Sequence, residues 1–203
     1  MVNKQIKAIF FDVSDVLATG SIIPGIRHYE SIHGIEQDKL YIAVHDHSYW
    51  KDFSLGKISE AEYFKSVEEN FSGELNISEL KESLLGSLAP NKPLIDLIKT
   101  LANQYILGVA SNNPREWFDI FCARNKLNDV FKVKAVSGYL GIRKPDKRLF
   151  EIAVKMAAVS PEEIIYVDDR PEMTTEAAEL GINIIVYRGL ENFKEELKKF
   201  KII

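Results

Sequence analysis

A lone cysteine, Cys122, has no partner for an intrachain disulfide, which fits a reducing compartment. No apolar run approaches the roughly 20 residues that span a bilayer. Before Asp12 there are only scattered lysines and the short run AIFF, too little for the core of a signal peptide, so no export is expected. A basic surplus is also missing: the formal net charge of −4 is the wrong sign for a protein that must neutralise the phosphates of a duplex. The expectation is a cytoplasmic protein with neither a nucleic-acid nor a membrane partner. Neither a Gly-x-x-x-x-Gly-Lys phosphate loop nor a Gly-x-Gly-x-x-Gly fingerprint occurs. Cys-x-x-Cys pairs and a Gly-x-Ser-x-Gly elbow are missing too, so nucleotide-loop and serine-hydrolase chemistry lack support.

What remains is a chain of 203 residues, enough for one α/β core with a modest insertion and too long to need metal or disulfide staples. Five short apolar runs read as buried parallel strands: IKAIFF before Asp12, YILGVA before Ser111, VKAV before Ser137, IIYV before Asp168 and NIIVY before Arg188. Between them lie helical patterns, PREWFDIFCARNK, DKRLFEIAVKMAAV, MTTEAAEL ending at Gly181, and FKEELKKF. The alternation predicts a doubly wound, Rossmann-like parallel sheet covered by helices on both faces.

Residues 18–88 interrupt that alternation, with helix-like segments and no convincing strand. YESIHGI, DKLYIAVHDHSYW, SEAEYFKSVEENF and ISELKESLLGSL predict three or four helices, with Ser59 and Ser78 as possible caps. The core resumes near Ala89 and Pro90 with KPLIDLIKTLAN. Expected domains are therefore a core of residues 1–17 and 89–203 and a helical cap of residues 18–88.

In open parallel sheets ligands bind beyond the carboxyl ends of the strands, where connections diverge. That rule selects Asp12, Ser111 and the pair Asp168 and Asp169, each following a predicted strand. A carboxylate attacking a phosphate needs a cation to offset the repulsion of two anions, and Mg²⁺ accepts one or two carboxylates with substrate oxygens. Read singly, each residue has a plainer role. Asp168 and Asp169 suit a helix cap before Pro171, and Asp12 suits a turn. Ser111 and Asn112 suit turn positions before Pro114, or a hydroxyl and an amide aimed at phosphate. Lys144, in SGYLGIRKPD, is either one of a basic patch with Arg143, Lys147 and Arg148 or an ammonium fixed by Pro145 to grip phosphate.

Together these segments resemble the haloacid dehalogenase superfamily, whose phosphatase branch carries four motifs in this order. FFDVSDVL resembles the nucleophile motif, VASNN the Ser/Thr motif, GIRKPD the lysine motif and YVDDRPE the acidic motif. The insertion is similar to the family's first-type helical cap, and the loop LGKISEAEYF to the subgroup of sugar-phosphate phosphatases and epoxide hydrolase amino-terminal domains. The resemblance implies Asp12 as phosphoryl acceptor, Ser111 and Lys144 as catalytic phosphate holders, Asn112 as a substrate contact, and a small phosphorylated metabolite as substrate. It further implies Mg²⁺ held by Asp12, the Ser14 carbonyl and Asp169, with Asp168 a ligand or close neighbour. One departure stands out: Ser14 occupies the place of the aspartate that usually acts as acid and base, a loss typically worth roughly 10² to 10⁴ in rate. Asp15, one residue on, is a substitute or merely a turn aspartate; adjacent side chains in extended backbone point oppositely, which favours the turn. Two rivals follow, a 2-haloacid dehalogenase and a phospho-ligand-binding protein with blunted turnover.

His45, Asp46 and His47 invite a metal reading, but histidines two apart on a helix face different sides, so cap surface or substrate contact is preferred. His28 and His33 have no better claim. Trp50 and Phe53 read as cap core rather than cavity lining.

Overall fold

The computed structural model describes residues 5–45 and 48–203. At its centre β1 (Ala8–Phe11) is buried at all four residues. Its side chains alternate, Ala8 and Phe10 into one apolar cluster and Ile9 and Phe11 into another on the opposite face. β1 lies between β4 (Ile106–Ser111) and β6 (Ile164–Asp168), with β5 (Val133–Val136) outside β4 and β7 (Asn183–Val186) outside β6. All four pairings are parallel, so the five apolar runs are the five strands of one sheet in the order β5-β4-β1-β6-β7. Leu94 and Ile98 of α6 (Lys92–Leu101), Phe118 of α7 (Arg115–Arg124) and Phe193 of α11 (Leu190–Lys199) pack on one face. Phe150 of α9 (Lys147–Ala157) and Ala177 of α10 (Thr175–Glu179) pack on the other. The fold class is α/β, doubly wound.

Because the chain passes from β1 to β4 on one side and from β6 to β7 on the other, connections diverge beyond the carboxyl ends of β1 and β6. That is where a cleft opens in such a sheet.

Between β1 and β4 the chain leaves the sheet through a two-stranded antiparallel ribbon, β2 (Ala18–Thr19) against β3 (Ala89–Pro90). The ribbon is too short for any periodicity to announce it. Asn91 ties it down by donating its amide to the Val16 carbonyl and the Tyr187 hydroxyl, at 2.9 and 2.8 Å. Among the described residues five helices lie between its strands, not three or four: α1 (Ile23–His33), α2 (Lys39–Val44), α3 (Ser48–Ser54), α4 (Glu60–Glu69) and α5 (Ile77–Gly86). The expected helix over 38–50 is two, and α1 starts earlier than the pattern suggested, with Pro24 in its first turn.

Ser59 closes a capping box with Glu62, whereas Ser78 lies inside α5 and the capping side chain is Asn76, which accepts from Glu79 N. Tyr29, Phe53, Tyr63 and Leu80 form a third apolar cluster, into which α7 inserts Trp117. Phe53 is core as expected; Trp50 is half-buried, packs against that cluster and also lines the cleft, which corrects its reading as core alone.

The tip of α3 rests on the short helix α8 (Ser137–Leu140). Gly56, at φ +67°, would place a Cβ 2.3 Å from the Gly138 carbonyl oxygen, so the close approach admits only glycine. Among the described residues no helix is long and apolar enough to cross a membrane. Cys122 is buried, and burial pushes its thiol up to about 12, which leaves it unreactive.

Candidate active site

Asp12 is the first residue past β1, and its N–H donates to the Val167 carbonyl of β6 at 2.9 Å, which seats it at the divergence point. From there the chain makes a single wide turn, Val13–Leu17, in which Ser14 is extended (φ −67°, ψ 137°) and Asp15 is left-handed (φ 55°). The argument from extended geometry therefore fails for Asp15. Its carboxylate does accept the Gly20 N–H at 3.0 Å, the bond of a turn aspartate, while its side chain stays exposed at the cleft.

Lys144 is the most constrained polar side chain. Its ammonium is fully buried and donates to Asp12 Oδ1 at 2.9 Å, Asp168 Oδ2 at 2.7 Å and Tyr166 Oη at 2.6 Å, so all three hydrogens have acceptors. The basic-patch reading of this residue is overturned, since it turns away from Arg148, which pairs with Asp146 on the surface. Asn112 holds the lysine loop from its other side: its Oδ1 accepts from Lys144 N at 2.7 Å and its Nδ2 donates to Lys144 O at 3.0 Å. Ser111 is buried at the end of β4, and its Oγ accepts from Asn113 Nδ2 at 2.8 Å, leaving the hydroxyl hydrogen free to donate.

Asp168 has no exposed surface. Its Oδ1 accepts the Arg170 N–H at 2.9 Å, and its Oδ2 accepts from Lys144 and from the Tyr166 hydroxyl. Burial raises its pKa, but the charge of Lys144 and these donors outweigh burial and hold it below the ordinary range. Asp169, half-buried, has none of that support. Burial first, then the charges of Asp168, Asp12 and Asp15, push it up to about 6.

One carboxylate oxygen from each of Asp12, Asp168 and Asp169 lies within 4.8 Å of the other two. Three acids so close, offering oxygen alone, suit a hard divalent cation, which would offset the mutual repulsion that adds to burial in raising Asp169. Asp168, with both oxygens already accepting, is the least free of the three to bind an ion directly.

Over this floor lies a cleft of about 750 Å³, lined below by Ser14, Asp169 and Lys144 and above by Ser48, Trp50 and Lys51 of α3. The size is ordinary for a small-molecule site. His45 also faces the cleft and stacks on Tyr41 and Trp50, at ring separations of 5.2 and 5.8 Å; Asp46 and His47 lie outside the described residues.

Sequence reasoning missed Tyr166, Asn113 and Arg143. Tyr166 was legible in principle, because two residues before Asp168 on a strand is the same face. Asn113 carried no signal beyond its neighbours, and Arg143 was read only as part of a patch.

The chain matches the family model of haloacid dehalogenase-like hydrolases over residues 6–181. Among similar proteins of known activity, flavin mononucleotide hydrolase 1 of Arabidopsis thaliana is 24% identical, covering 98% of this chain and 80% of that protein. The D-ribitol-5-phosphate phosphatase of Bacteroides thetaiotaomicron is 26% identical, covering 95% and 97%. A crystal structure of a haloacid dehalogenase family enzyme from Bacteroides thetaiotaomicron superposes with a TM-score of 0.82 at 20% identity, over 96% of this chain and 99% of that one. The same enzyme has been solved with magnesium and inorganic phosphate, with a TM-score of 0.78 at 20% identity over 90% and 94%. With that match spanning most of the chain, on a doubly wound sheet whose acids meet at its divergence point, this protein is an enzyme of the haloacid dehalogenase-like hydrolase family.

Proposed function

We propose that the chain is a Mg²⁺-dependent phosphatase of small phosphomonoesters acting in the cytoplasm, with residues 18–88 as a cap over the site. The observation that carries this reading is the buried contact of Lys144 with Asp12 and Asp168 beside the three clustered acids. The names of the relatives, for flavin mononucleotide and ribitol phosphate, support a small phosphorylated substrate.

Asp12 Oδ1 is held by Lys144, and Oδ2 has no hydrogen-bond partner among the described residues, so Oδ2 is the attacking oxygen. In-line attack on phosphorus forms an aspartyl-phosphate and expels the alcohol oxygen. The free hydroxyl hydrogen of Ser111 donates to an equatorial oxygen, Lys144 stabilises these oxygens by its charge since its three hydrogens are held by Asp12, Asp168 and Tyr166, and Asn112 positions the lysine loop. Asp12, Asp169 and the Ser14 carbonyl would hold the magnesium, Asp168 steadying the lysine beside them; the ion supplies charge neutralisation between nucleophile and phosphate. Water then cleaves the acyl phosphate. Ser14 offers no carboxylate for that step, which predicts slow rather than absent turnover.

The test is phosphate release from a phosphomonoester panel with Mg²⁺ and with chelator, run beside chloride release from a 2-haloacid. Release that needs magnesium supports the reading. Chloride release in chelator would establish the dehalogenase, and thermal stabilisation by phosphomonoesters without phosphate release would establish a binding protein.

A further inference from the structure

Arg143 stands next to the buried lysine in sequence yet points elsewhere. Its side chain is half-buried and faces the cleft, and one of its five donors reaches Ser54 Oγ at the end of α3, at 3.1 Å. Among the described residues no carboxylate lies within ion-pairing distance of it. Burial, then the like charge of Arg170, lower its pKa. Lys51, which also lines the cleft from α3, likewise has no carboxylate partner among the described residues.

Half-burying a guanidinium beside a like charge costs free energy unless an anion completes the arrangement. The acids of the floor do not serve, because they are gathered around Lys144 and the proposed metal position. In-line transfer also dictates direction. The leaving oxygen departs on the side of phosphorus opposite Asp12, so the rest of the substrate extends into the cleft toward α3, where Arg143 and Lys51 stand.

Resting on the phosphatase reading above, we propose that Arg143, assisted by Lys51, is a subsite for an anionic group on the leaving portion of the substrate. The preferred substrates are then phosphomonoesters with a second, distal carboxylate or phosphate, which the planar guanidinium grips with paired N–H donors. Trp50, half-buried and lining the cleft from α3, supplies the apolar face along which the connecting carbons lie.

The plainer alternative is a strut, Arg143 tying the lysine loop to α3 through Ser54. Three-carbon phosphomonoesters that differ only at the far carbon, bearing a hydroxyl, a carboxylate or a phosphate, separate the two. The wild-type enzyme should favour the charged pair by about tenfold or more in kcat/KM, mostly through KM. Arg143→Gln should bring the charged pair down to the hydroxyl compound while changing the hydroxyl compound by no more than about twofold, and Arg143→Lys should keep part of the preference. Ser54→Ala should leave the preference intact. No charged preference in the wild type, or equal loss on all three substrates in Arg143→Gln, overturns the subsite. Calorimetric binding of the three compounds to magnesium-loaded protein gives a readout independent of turnover. Tighter binding of the charged pair that Arg143→Gln abolishes upholds the subsite even if no phosphate is released, in which case only the phosphatase reading falls.

Discussion

On the floor of the cleft Lys144 is wholly buried and each of its ammonium hydrogens has an acceptor, whereas on the roof Lys51 is exposed with no carboxylate partner among the described residues. The same contrast runs through the aromatics. Tyr166 below is fully buried, its hydroxyl bonded to Lys144, Asp168 and the Ala110 carbonyl, and Trp50 above is only half-buried. The floor is therefore built to hold charges still, as stabilising a developing charge requires, and the roof leaves groups free to meet whatever portion of a substrate arrives. If that division is real, substitutions below should damage turnover of every substrate alike, and substitutions above should reorder substrates.

The sharpest way to break the comparison is at Asp12. Asp12→Asn should lower magnesium-dependent phosphate release by roughly 10⁴-fold or more on all substrates, since no neighbour replaces a lost nucleophile. Retention of activity within about tenfold would remove Asp12 from that role. Next comes Lys144→Met, which strips the only cation bonded to Asp12 and Asp168 among the described residues and should cost roughly 3–5 kcal/mol in urea unfolding, the scale for breaking a buried pair. An unchanged midpoint would mean that the floor is not electrostatically organised.

A third test adds function instead of removing it. Ser14→Asp should raise turnover by roughly 10²-fold, the lower end of what acid and base catalysis supplies, while Asp15→Asn should leave turnover within about twofold. A large loss in Asp15→Asn would show Asp15 doing the work of the missing aspartate despite its bond to Gly20. Smaller still, Tyr166→Phe should cost roughly 1–3 kcal/mol of stability, the price of leaving a buried charged partner one hydrogen bond short. It should lower turnover of all substrates by one common factor, measured across the same panel.

Much of the floor was legible because it uses the plainest signals available. Apolar runs ending in Asp12, Ser111 and Asp168 mark strand ends, and parallel sheets bring strand ends together. The ribbon of Ala18–Thr19 against Ala89–Pro90, at two residues per strand, has no period to read. The roof was less legible. Helical periodicity showed that α4 and α5 exist, but not that Asn76 rather than Ser78 caps α5, because both are good caps and only the backbone angle decides. Arg143 and Lys144 are alike in sequence and opposite in the fold, one reaching Ser54 at the end of α3 and the other the acids at the end of the sheet, a difference set by loop geometry that composition does not encode.

The smallest effect concerns protons. Asp169 is pushed up to about 6 from an ordinary 3.8, by burial and then by Asp168, Asp12 and Asp15. Its folded pKa thus lies above its unfolded one, so between these values the folded protein holds more protons than the unfolded chain. Stability of the metal-free protein should fall as pH rises through that window and level off above it. Half exposure of Asp169 and solvent screening keep the effect slight. Magnesium acts in the opposite sense, since it binds the carboxylate and competes with the proton. Thermal unfolding with and without Mg²⁺ should therefore show little stabilisation near pH 5 and full stabilisation above about pH 7, with Asp169→Asn removing most of it at every pH. Equal stabilisation at both ends would mean that the ion sits elsewhere. The floor would then be ordered by Lys144 alone, and its contrast with the roof would rest on a single ammonium.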